Sequence, residues 1–218
     1  MDGWVIQDRW FADAAAALDW ELAALVHAGA GVPHLLFWEL DRYAVVLGYG
    51  RPERADVDVS ACVRDQVPVL RRRSGGGTVL LGPGCLCYCL ALPAAGADHW
   101  ADITRTNQWV LSRVSHALAQ CSGAAVSVAG ISDLVVGPHK VGGSAQRRTR
   151  DAVLWHGTLL YNFALPRISQ YLSEPDRQPE YRQHRPHAAF VANLPMERGQ
   201  AIRTLTQAFD AAGPNAPG

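Results

Sequence analysis

Short apolar runs come in pairs along this sequence, with only a few turn-forming residues between the two runs of a pair. Residues 34–40 and 43–48 flank the dipeptide Asp41-Arg42, and residues 67–70 and 78–81 flank a glycine-rich segment. Apolar runs of this length with turn residues between them are typical of paired β-strands. We therefore predict strands in these four runs and further strands at residues 86–92, 125–136 and 153–163.

Apolar residues recur at helical spacing in other segments, which lie in groups between the strands. The predicted helices span residues 12–28, 103–121, 165–172 and 196–212. In the first helix we expect a buried face made of Leu18, Leu22, Leu25 and Val26. Strand pairs with helices grouped between them predict an α+β fold rather than alternating βαβ units.

The length of 218 residues and the hydrophobic content of 49% fit one sizeable core. We expect a single domain over residues 1–212 and a disordered, Pro/Gly-rich tail at residues 213–218. The 20 basic residues balance the 20 acidic ones, which argues against a general binder of nucleic acids or of membrane surfaces. The first ten residues have no apolar run of the secretory kind, so we predict a cytoplasmic protein.

Five cysteines occur, and three of them alternate along the chain as residues on one face of a strand do: Cys85, Cys87 and Cys89. The sequence has no CxxC pair and no cysteine–histidine spacing of the zinc type. We therefore expect reduced, mostly buried thiols and assign no metal ligand from the cysteines.

The positive charges are unusual, because nineteen of the 20 basic residues are arginines and the only lysine is Lys140. A lysine ammonium is a compact point charge that enters a tight polar pocket more easily than a planar guanidinium does. Alternatively, Lys140 is an exposed hairpin residue, the more common situation for a lone lysine. The segment shortly after it, Gly142 to Ser144, is predicted to form a turn.

Residues 71–78 place three arginines and a serine before three consecutive glycines. Glycine backbones approach a ligand closely, and their N–H groups can point together at an anion. The alternative is a flexible hairpin loop beside a solvated run of charges. A third segment, residues 155–160, has a His156-Gly157 pair within a predicted strand. A glycine there indicates close approach by another group, whereas a single histidine is more often a core residue with satisfied hydrogen bonds.

Three segments together carry a resemblance to a known family. They are residues 71–80 (RRRSGGGTVL), 133–148 (DLVVGPHKVGGSAQRR) and 155–160 (WHGTLL). In this order and spacing they resemble the lipoate–protein ligase A family of the biotin/lipoate ligase superfamily. Similarity at residues 37–38, 45–48, 178–182, 185–187, 190 and 193–194 extends the resemblance over residues 10–195.

The resemblance implies a fold, a reaction and a set of partners. The fold is a mixed, largely antiparallel sheet flanked by helices, as in biotin and lipoate ligases and class II tRNA synthetases. The reaction uses ATP and Mg2+ to activate lipoate or octanoate as acyl-AMP and then transfers the acyl group to a carrier lysine. The implied partners are lipoyl-carrier domains of 2-oxoacid dehydrogenases or an H-type protein of glycine cleavage.

The resemblance also implies roles for individual residues. Lys140 matches the catalytic lysine that contacts the acyl carbonyl and the phosphate of the acyl-adenylate. Asp133 matches an acidic position near the nucleotide and the metal, and Arg72 is the expected anion contact. The full set expected to bind the substrate and the acyl-adenylate is Arg72, Ser74, Gly75, Gly76, Gly77, Gly143, Ser144, Ala145, His156, Gly157 and Thr158.

The sequence departs from the family pattern in two respects. The three alternating cysteines replace small polar residues that relatives often have after the glycine loop, so we expect a less polar pocket. Many relatives also carry a C-terminal accessory domain, which we expect to be absent here. A separate accessory subunit is therefore a candidate partner.

Two alternatives to the ligase remain open. An octanoyltransferase of the same superfamily needs a nucleophilic cysteine about fifteen residues before the lysine. That position is Ala125, the nearest thiol is Cys121, and residues 130–134 resemble the ligases instead. We therefore favour the ligase and expect Cys62 and Cys121 to be dispensable. The second alternative is a non-catalytic subunit that binds the acyl group.

Overall fold

A computed structural model describes residues 3–94, 100, 102–211 and 213 of the chain. Seven strands form its larger sheet: β1 (Val5–Phe11), β2 (His34–Leu40), β6 (Cys85–Pro93), β7 (Val126–Ala129), β8 (Asp133–Val136), β9 (His139–Arg148) and β10 (Ala152–Leu160). Three strands form a smaller sheet: β3 (Ala44–Leu47), β4 (Val69–Arg71) and β5 (Val79–Leu81).

The larger sheet is mixed and largely antiparallel. Its strand order is β1-β2-β6-β10-β9-β8-β7, and only the β1–β2 pair is parallel among the described strands of this sheet. The smaller sheet has the order β4-β3-β5, with β3 parallel to β4 and antiparallel to β5. The predicted α+β fold class is therefore confirmed.

Helices pack on the larger sheet and around the smaller one. They are α1 (Ala14–Gly29), α2 (Glu53–Asp56), α3 (Val59–Arg64), α4 (Ile103–Ser122), α5 (Pro166–Tyr171), α6 (His187–Phe190) and α7 (Arg198–Asp210). Asp13 and Asp102 cap the N-termini of α1 and α4, where each side chain accepts a backbone N–H bond.

The period-two alternation of β6 divides the core into two layers. Leu86, Tyr88 and Leu90 pack with α4 and α7 on one face of the sheet. Cys85 and Cys87 point to the other face, where they pack with the smaller sheet. Cys89 points to that face as well and packs with α1. Since side chains alternate along a strand, the cysteines share one face, as the sequence predicts. That face also forms the floor of the candidate site.

The buried face of α1 differs from the prediction. Val26 is 71% exposed, and the residues that reach the sheet are mainly small: Ala14, Ala17, Glu21, Ala24, Leu25 and Ala28. Alanines allow the helix to lie close to the sheet, which leaves the bulkier leucines, Leu18 and Leu22, half-buried at its sides. A ranking of residues by hydrophobicity does not reveal an alanine stripe that carries an acidic residue, so this face was not predicted.

The four strands predicted as two pairs are present, but the predicted pairing between them was wrong. β2 and β3 follow one another at hairpin spacing, yet they belong to different sheets. β4 and β5 flank β3 instead of pairing with each other. The predicted strand at residues 125–136 is two strands, β7 and β8, that meet at a turn where Gly130 has a φ of 59°. β1, β9, α2, α3 and α6 were not predicted.

The C-terminal tail predicted at residues 213–218 lies outside the described residues, apart from Gly213. Within the described part of the chain, no helix combines the length and the apolar character needed to cross a membrane.

Candidate functional site

Two cavities lie between the larger sheet, the smaller sheet and the segment that follows α5. Their volumes are about 400 Å³ and about 170 Å³. The linings of both cavities include Gly76, Gly77, Thr78, Val79, Leu81, Asp133, Lys140 and Thr158. Gly76 and Gly77 of the glycine loop and the only lysine of the sequence therefore face one cleft.

Lys140 is held at the junction of the two cavities by an acidic side chain. Its Nζ atom lies 2.7 Å from Oδ1 of Asp133, on the neighbouring strand β8. The other carboxylate oxygen, Oδ2, accepts a hydrogen bond of 2.7 Å from the hydroxyl of Tyr181. Burial and the nearby carboxylate raise the pKa of Tyr181, so this hydroxyl remains a donor at neutral pH. The ammonium is thus oriented on one side and free to meet an anion on the other.

The Gly142–Ser144 segment is not a turn, contrary to the prediction. It lies inside β9, where Gly142 pairs with Leu159 and Gly143 pairs with Thr158. A Cβ atom on Gly142 would overlap the carbonyl oxygen of Thr158, and one on Gly143 would lie 2.8 Å from Nζ of Lys140. The two glycines are needed for close packing at the site rather than for a change of chain direction.

Arg72 stabilises the conformation of the glycine loop through hydrogen bonds to its backbone. Its guanidinium is 8% exposed and donates to the carbonyl oxygens of Val46, Gly75 and Gly77. Burial lowers the pKa of Arg72 to about 10, so it is still protonated at neutral pH. Most of its donors are occupied by the loop, although Arg72 also lines the smaller cavity. The expected contact between Arg72 and a bound anion stays a prediction.

The backbone N–H groups of the glycine loop are available as hydrogen-bond donors. Arg72 is the last residue before the loop whose N–H group donates to a backbone carbonyl, that of Leu47. For residues 73–77, the described part of the chain supplies no acceptor to the backbone N–H groups. Gly76 has a φ of 87°, a left-handed conformation that favours glycine. Unpaired N–H groups on such a backbone form a concavity suited to an anion.

A chain of hydrogen bonds links the loop to α1 through His156. Its Nε2 lies 2.7 Å from Oγ of Ser74, and its Nδ1 lies 2.7 Å from Oε2 of Glu21. Oγ of Ser74 also accepts from Nε of Arg72, and Oε1 of Glu21 accepts from Nε1 of Trp38, each at 2.9 Å. Both ring nitrogens of His156 therefore have hydrogen-bond partners, and the ring also lines the smaller cavity.

The larger cavity has a polar wall. Arg51 forms an ion pair with Asp56, whose carboxylate also accepts a bond from the hydroxyl of Thr78. The bond from Arg51, joined by that from Thr78, holds the pKa of Asp56 below its usual value despite burial. Arg182, which is 4% exposed, and His187 line the same cavity. Burial lowers the pKa of His187, so its imidazole is neutral at physiological pH.

Two thiols line the cavity floor, Cys85 in the larger cavity and Cys87 in the smaller one. Burial raises the pKa of Cys87 and of Cys89 well above the usual range for a thiol. Protonated thiols of this kind are poor nucleophiles. Cys121 is half-buried at the end of α4, where its Sγ atom lies 3.2 Å from Nε2 of Gln200, and it lies outside both linings.

The structure brings most of the residues predicted from the sequence to the smaller cavity. Those in its lining are Arg72, Gly76, Gly77, Asp133, Lys140, Gly143, Ser144, Ala145, His156, Gly157 and Thr158. Ser74 and Gly75 lie outside both linings, Ser74 behind the loop and bonded to His156. The binding roles of all the residues named here, inside and outside the lining, stay predictions.

Several residues of the site were not predicted from the sequence, among them Glu21, Trp38, Arg51, Asp56, Arg177, Tyr181, Arg182 and His187. Glu21 left a signal, because it is a single carboxylate on the otherwise apolar face of a helix, where an acidic residue needs a partner. Among the residues that the structure describes, no group of three or more His, Cys, Asp or Glu side chains is arranged to hold a metal ion.

Comparison with known proteins identifies the relatives of this chain. The family model described as "Lipoyl protein ligase A/B catalytic domain" matches residues 12–210. A curated relative, the probable lipoate-protein ligase A of Mycoplasma pneumoniae, is 28% identical over 158 residues. The match covers 72% of this chain and 45% of the relative, so this chain corresponds to less than half of that protein.

Solved structures share the fold. A bi-partite lipoate protein ligase of Thermoplasma acidophilum, studied with its E2 lipoyl domain, superposes with a TM-score of 0.81 over 97% of this chain and 83% of its own. A lipoate-protein ligase A bound with ATP has a TM-score of 0.81 over 97% of this chain and 85% of its own. Each is 21% identical to this chain, and at that identity the likeness shows the fold alone.

Proposed function

This chain belongs to the lipoyl protein ligase A/B catalytic domain family, and from that premise we propose that it is an acyl-adenylate-forming ligase. In the proposed reaction, a medium-chain acid such as lipoate or octanoate reacts with ATP to give acyl-AMP and pyrophosphate. A lysine amine of a carrier protein then displaces AMP and forms an amide.

The observation that carries the proposal is the position of Lys140, whose ammonium lies where two unlike cavities meet. The smaller cavity has Leu18, Trp38, Val46 and Cys87 in its lining, and these weakly polar or apolar side chains suit an acyl chain. The larger cavity has Arg51, Arg177 and Arg182 in its lining, and these positive charges suit the phosphates of a nucleoside triphosphate. Acid and nucleotide would therefore meet at the ammonium, where the new bond has to form.

In the first step an oxygen of the acid attacks the α-phosphorus of ATP, and the bond from that phosphorus to pyrophosphate breaks. Lys140 offsets the negative charge that accumulates on the phosphate oxygens, and the unpaired N–H groups of the glycine loop add donors. In the second step the amine nitrogen attacks the acyl carbon, and AMP leaves with the electron pair of the anhydride bond. Lys140 contributes charge in both steps and forms no covalent intermediate.

Magnesium is part of the proposal, since a triphosphate normally brings this ion with it. Magnesium is usually held by one or two carboxylates together with phosphate oxygens, so a site of three protein ligands is not required. Asp133 and Asp56 are the carboxylates in the lining of the larger cavity, although each already pairs with a cation. When bound, the ion would neutralise phosphate charge.

The proposed partners are lipoyl-carrier domains of 2-oxoacid dehydrogenases or an H-type carrier of glycine cleavage, with a second polypeptide as a possible accessory subunit. The Thermoplasma structure supports the last point, because that ligase is described as bi-partite and was studied with an E2 lipoyl domain. The cytoplasmic location stays a prediction from the sequence.

The transferase alternative has less support. It needs an activated thiol near the reacting carbonyl, yet burial keeps Cys87 protonated, and Cys121 lies outside both cavities. The position fifteen residues before Lys140 is occupied by Ala125. Cys87 therefore lacks activation, and Cys121 lacks access to the site.

Pyrophosphate exchange distinguishes the candidate functions. The purified protein is incubated with lipoate, ATP and labelled pyrophosphate, and in a second reaction with an octanoylated carrier and an unmodified carrier without ATP. We expect lipoate-dependent label in ATP in the first reaction and no transfer in the second. Transfer without ATP would replace the ligase by the transferase. Saturable lipoate binding with neither activity would indicate a non-catalytic subunit.

A further inference from the structure

A row of four paired residues crosses the floor of the smaller cavity. Trp38 of β2 lies opposite Cys87 of β6, Cys87 lies opposite Thr158 of β10, and Thr158 lies opposite Gly143 of β9. All four residues line this cavity. The ammonium of Lys140 lies over the Gly143 end, because a Cβ atom there would be 2.8 Å from Nζ. The row thus runs from the ammonium to the indole of Trp38.

The spacing between neighbouring strands gives the distances along this row. Neighbouring strands lie about 4.8 Å apart, so Cys87 is about 10 Å and Trp38 about 14 Å from Gly143. An extended chain advances about 1.2 Å per bond, so an eight-carbon acid with its carboxylate at Lys140 would place its last carbon about 8 Å away. That carbon would lie near Cys87.

From this geometry, we propose that Cys87 determines the length of the acyl chain that the site accepts. The inference rests on the proposed function, since it assigns the smaller cavity to the acyl group. The side chain is 3% exposed and has a single heavy atom beyond Cβ, so it leaves room for the end of a chain. A larger side chain would shorten the space between Lys140 and Trp38, and a smaller one would open the way to the indole.

Cys89 provides a matched control. It lies on the same strand and the same face as Cys87, and it is fully buried. It packs against α1, with Ala24, Leu25 and Ala28, and lies outside the linings of both cavities. A change at Cys89 therefore perturbs the core in a similar way without changing the cavity.

The test is equilibrium binding of straight-chain acids of four to twelve carbons, measured by calorimetry on the whole chain. We expect the wild type to bind the eight-carbon acid most tightly. In Cys87→Leu the optimum should move to about six carbons, and the eight-carbon acid should lose at least tenfold in affinity. Cys87→Ala cannot overpack the core, because the new side chain is smaller. Its optimum chain length should move towards ten carbons, with a gain of about fourfold in affinity for each added methylene. Cys89→Ala should keep the wild-type optimum.

An unchanged optimum in both Cys87 variants, with normal binding by the wild type, would overturn this inference and leave the proposed function standing. A shift of the same size in Cys89→Ala would also overturn it, because the effect would then come from the core. If the wild type bound no acid in the series, the proposed function and the inference would both fail.

Discussion

The ammonium of Lys140 lies beside the backbone of Gly143: a Cβ atom at position 143 would be 2.8 Å from Nζ and 2.9 Å from Cε of the lysine. The same ammonium lies 2.7 Å from Oδ1 of Asp133. Its position between the two cavities therefore depends on the missing side chain at 143 as well as on the carboxylate.

Substitution of the two neighbouring glycines should separate activity from stability. In Gly143→Ala the flexible end of Lys140 has to move, and Oδ1 of Asp133, 3.2 Å from the new Cβ atom, has to shift slightly. Both groups are side-chain ends, so the melting temperature should stay close to that of the wild type. Displacement of the charge by about 1 Å should nevertheless lower the rate of acyl-AMP formation about 100-fold. The control Gly142→Ala drives a Cβ atom into the carbonyl oxygen of Thr158 and should cost about 1–3 kcal/mol of stability. Full activity of Gly143→Ala would contradict the assigned position of the ammonium.

Glu21→Gln should destabilise the fold. The carboxylate of Glu21 is 2% exposed and accepts from both His156 and Trp38, so an amide cannot serve both partners equally well. We expect a loss of about 1–3 kcal/mol in the free energy of unfolding, measured in urea. Asp19→Asn, on the exposed side of the same helix, should stay within about 0.5 kcal/mol of the wild type. Equal effects of the two changes would argue against the buried network.

His34 should make stability depend on pH. It is 6% exposed, and neither ring nitrogen has a hydrogen-bond partner among the described residues. Burial, and to a lesser extent His27, lowers the pKa of His34 from 6.5. Below about pH 6.5 the imidazole of His34 therefore binds a proton more readily in the unfolded chain than in the folded one. The free energy of unfolding thus decreases as the pH falls. Burial lowers the pKa of His187 as well, so it contributes in the same direction.

The measurement for this effect is the free energy of unfolding in urea at pH 7.5 and pH 5.5. The difference between the two pH values should be smaller in His34→Leu than in the wild type, because one of the two buried imidazoles is gone. An identical difference in both proteins would show that His34 is protonated as easily in the folded chain as in the unfolded one.

The strands and helices with strong periodicity were predictable from the sequence. β2 has the predicted bounds because it is a short, fully buried run that ends at turn residues. α4 begins at the predicted residue because a long amphipathic pattern determines local structure. Strand partners were not predictable from spacing, because the choice between β2 and β4 as neighbours of β3 depends on contacts far along the chain. β9 was missed for a different reason: its glycines and polar residues face the site, so it lacks the alternation of a core strand.

The same distinction applies to the site. Lys140 attracted attention because it is the only lysine in the sequence, and the glycine loop because of its composition. Glu21 and His156 are 135 positions apart, and no local pattern connects them. Their contact follows from the way α1 packs on the sheet, which only the folded structure reveals.

The most direct test of the central claim is acyl-AMP formation by Lys140→Arg. The guanidinium is broader than the ammonium and cannot place its charge at the same point between Asp133 and Gly143. The variant should melt at the wild-type temperature and form acyl-AMP about 100- to 1,000-fold more slowly, which is the usual loss for one well-placed electrostatic contact. Arg203→Lys, a swap of the same two residue types on the exposed face of α7, should keep full activity. A wild-type rate from Lys140→Arg would contradict the account, because the only lysine of the chain would then have no part in the reaction.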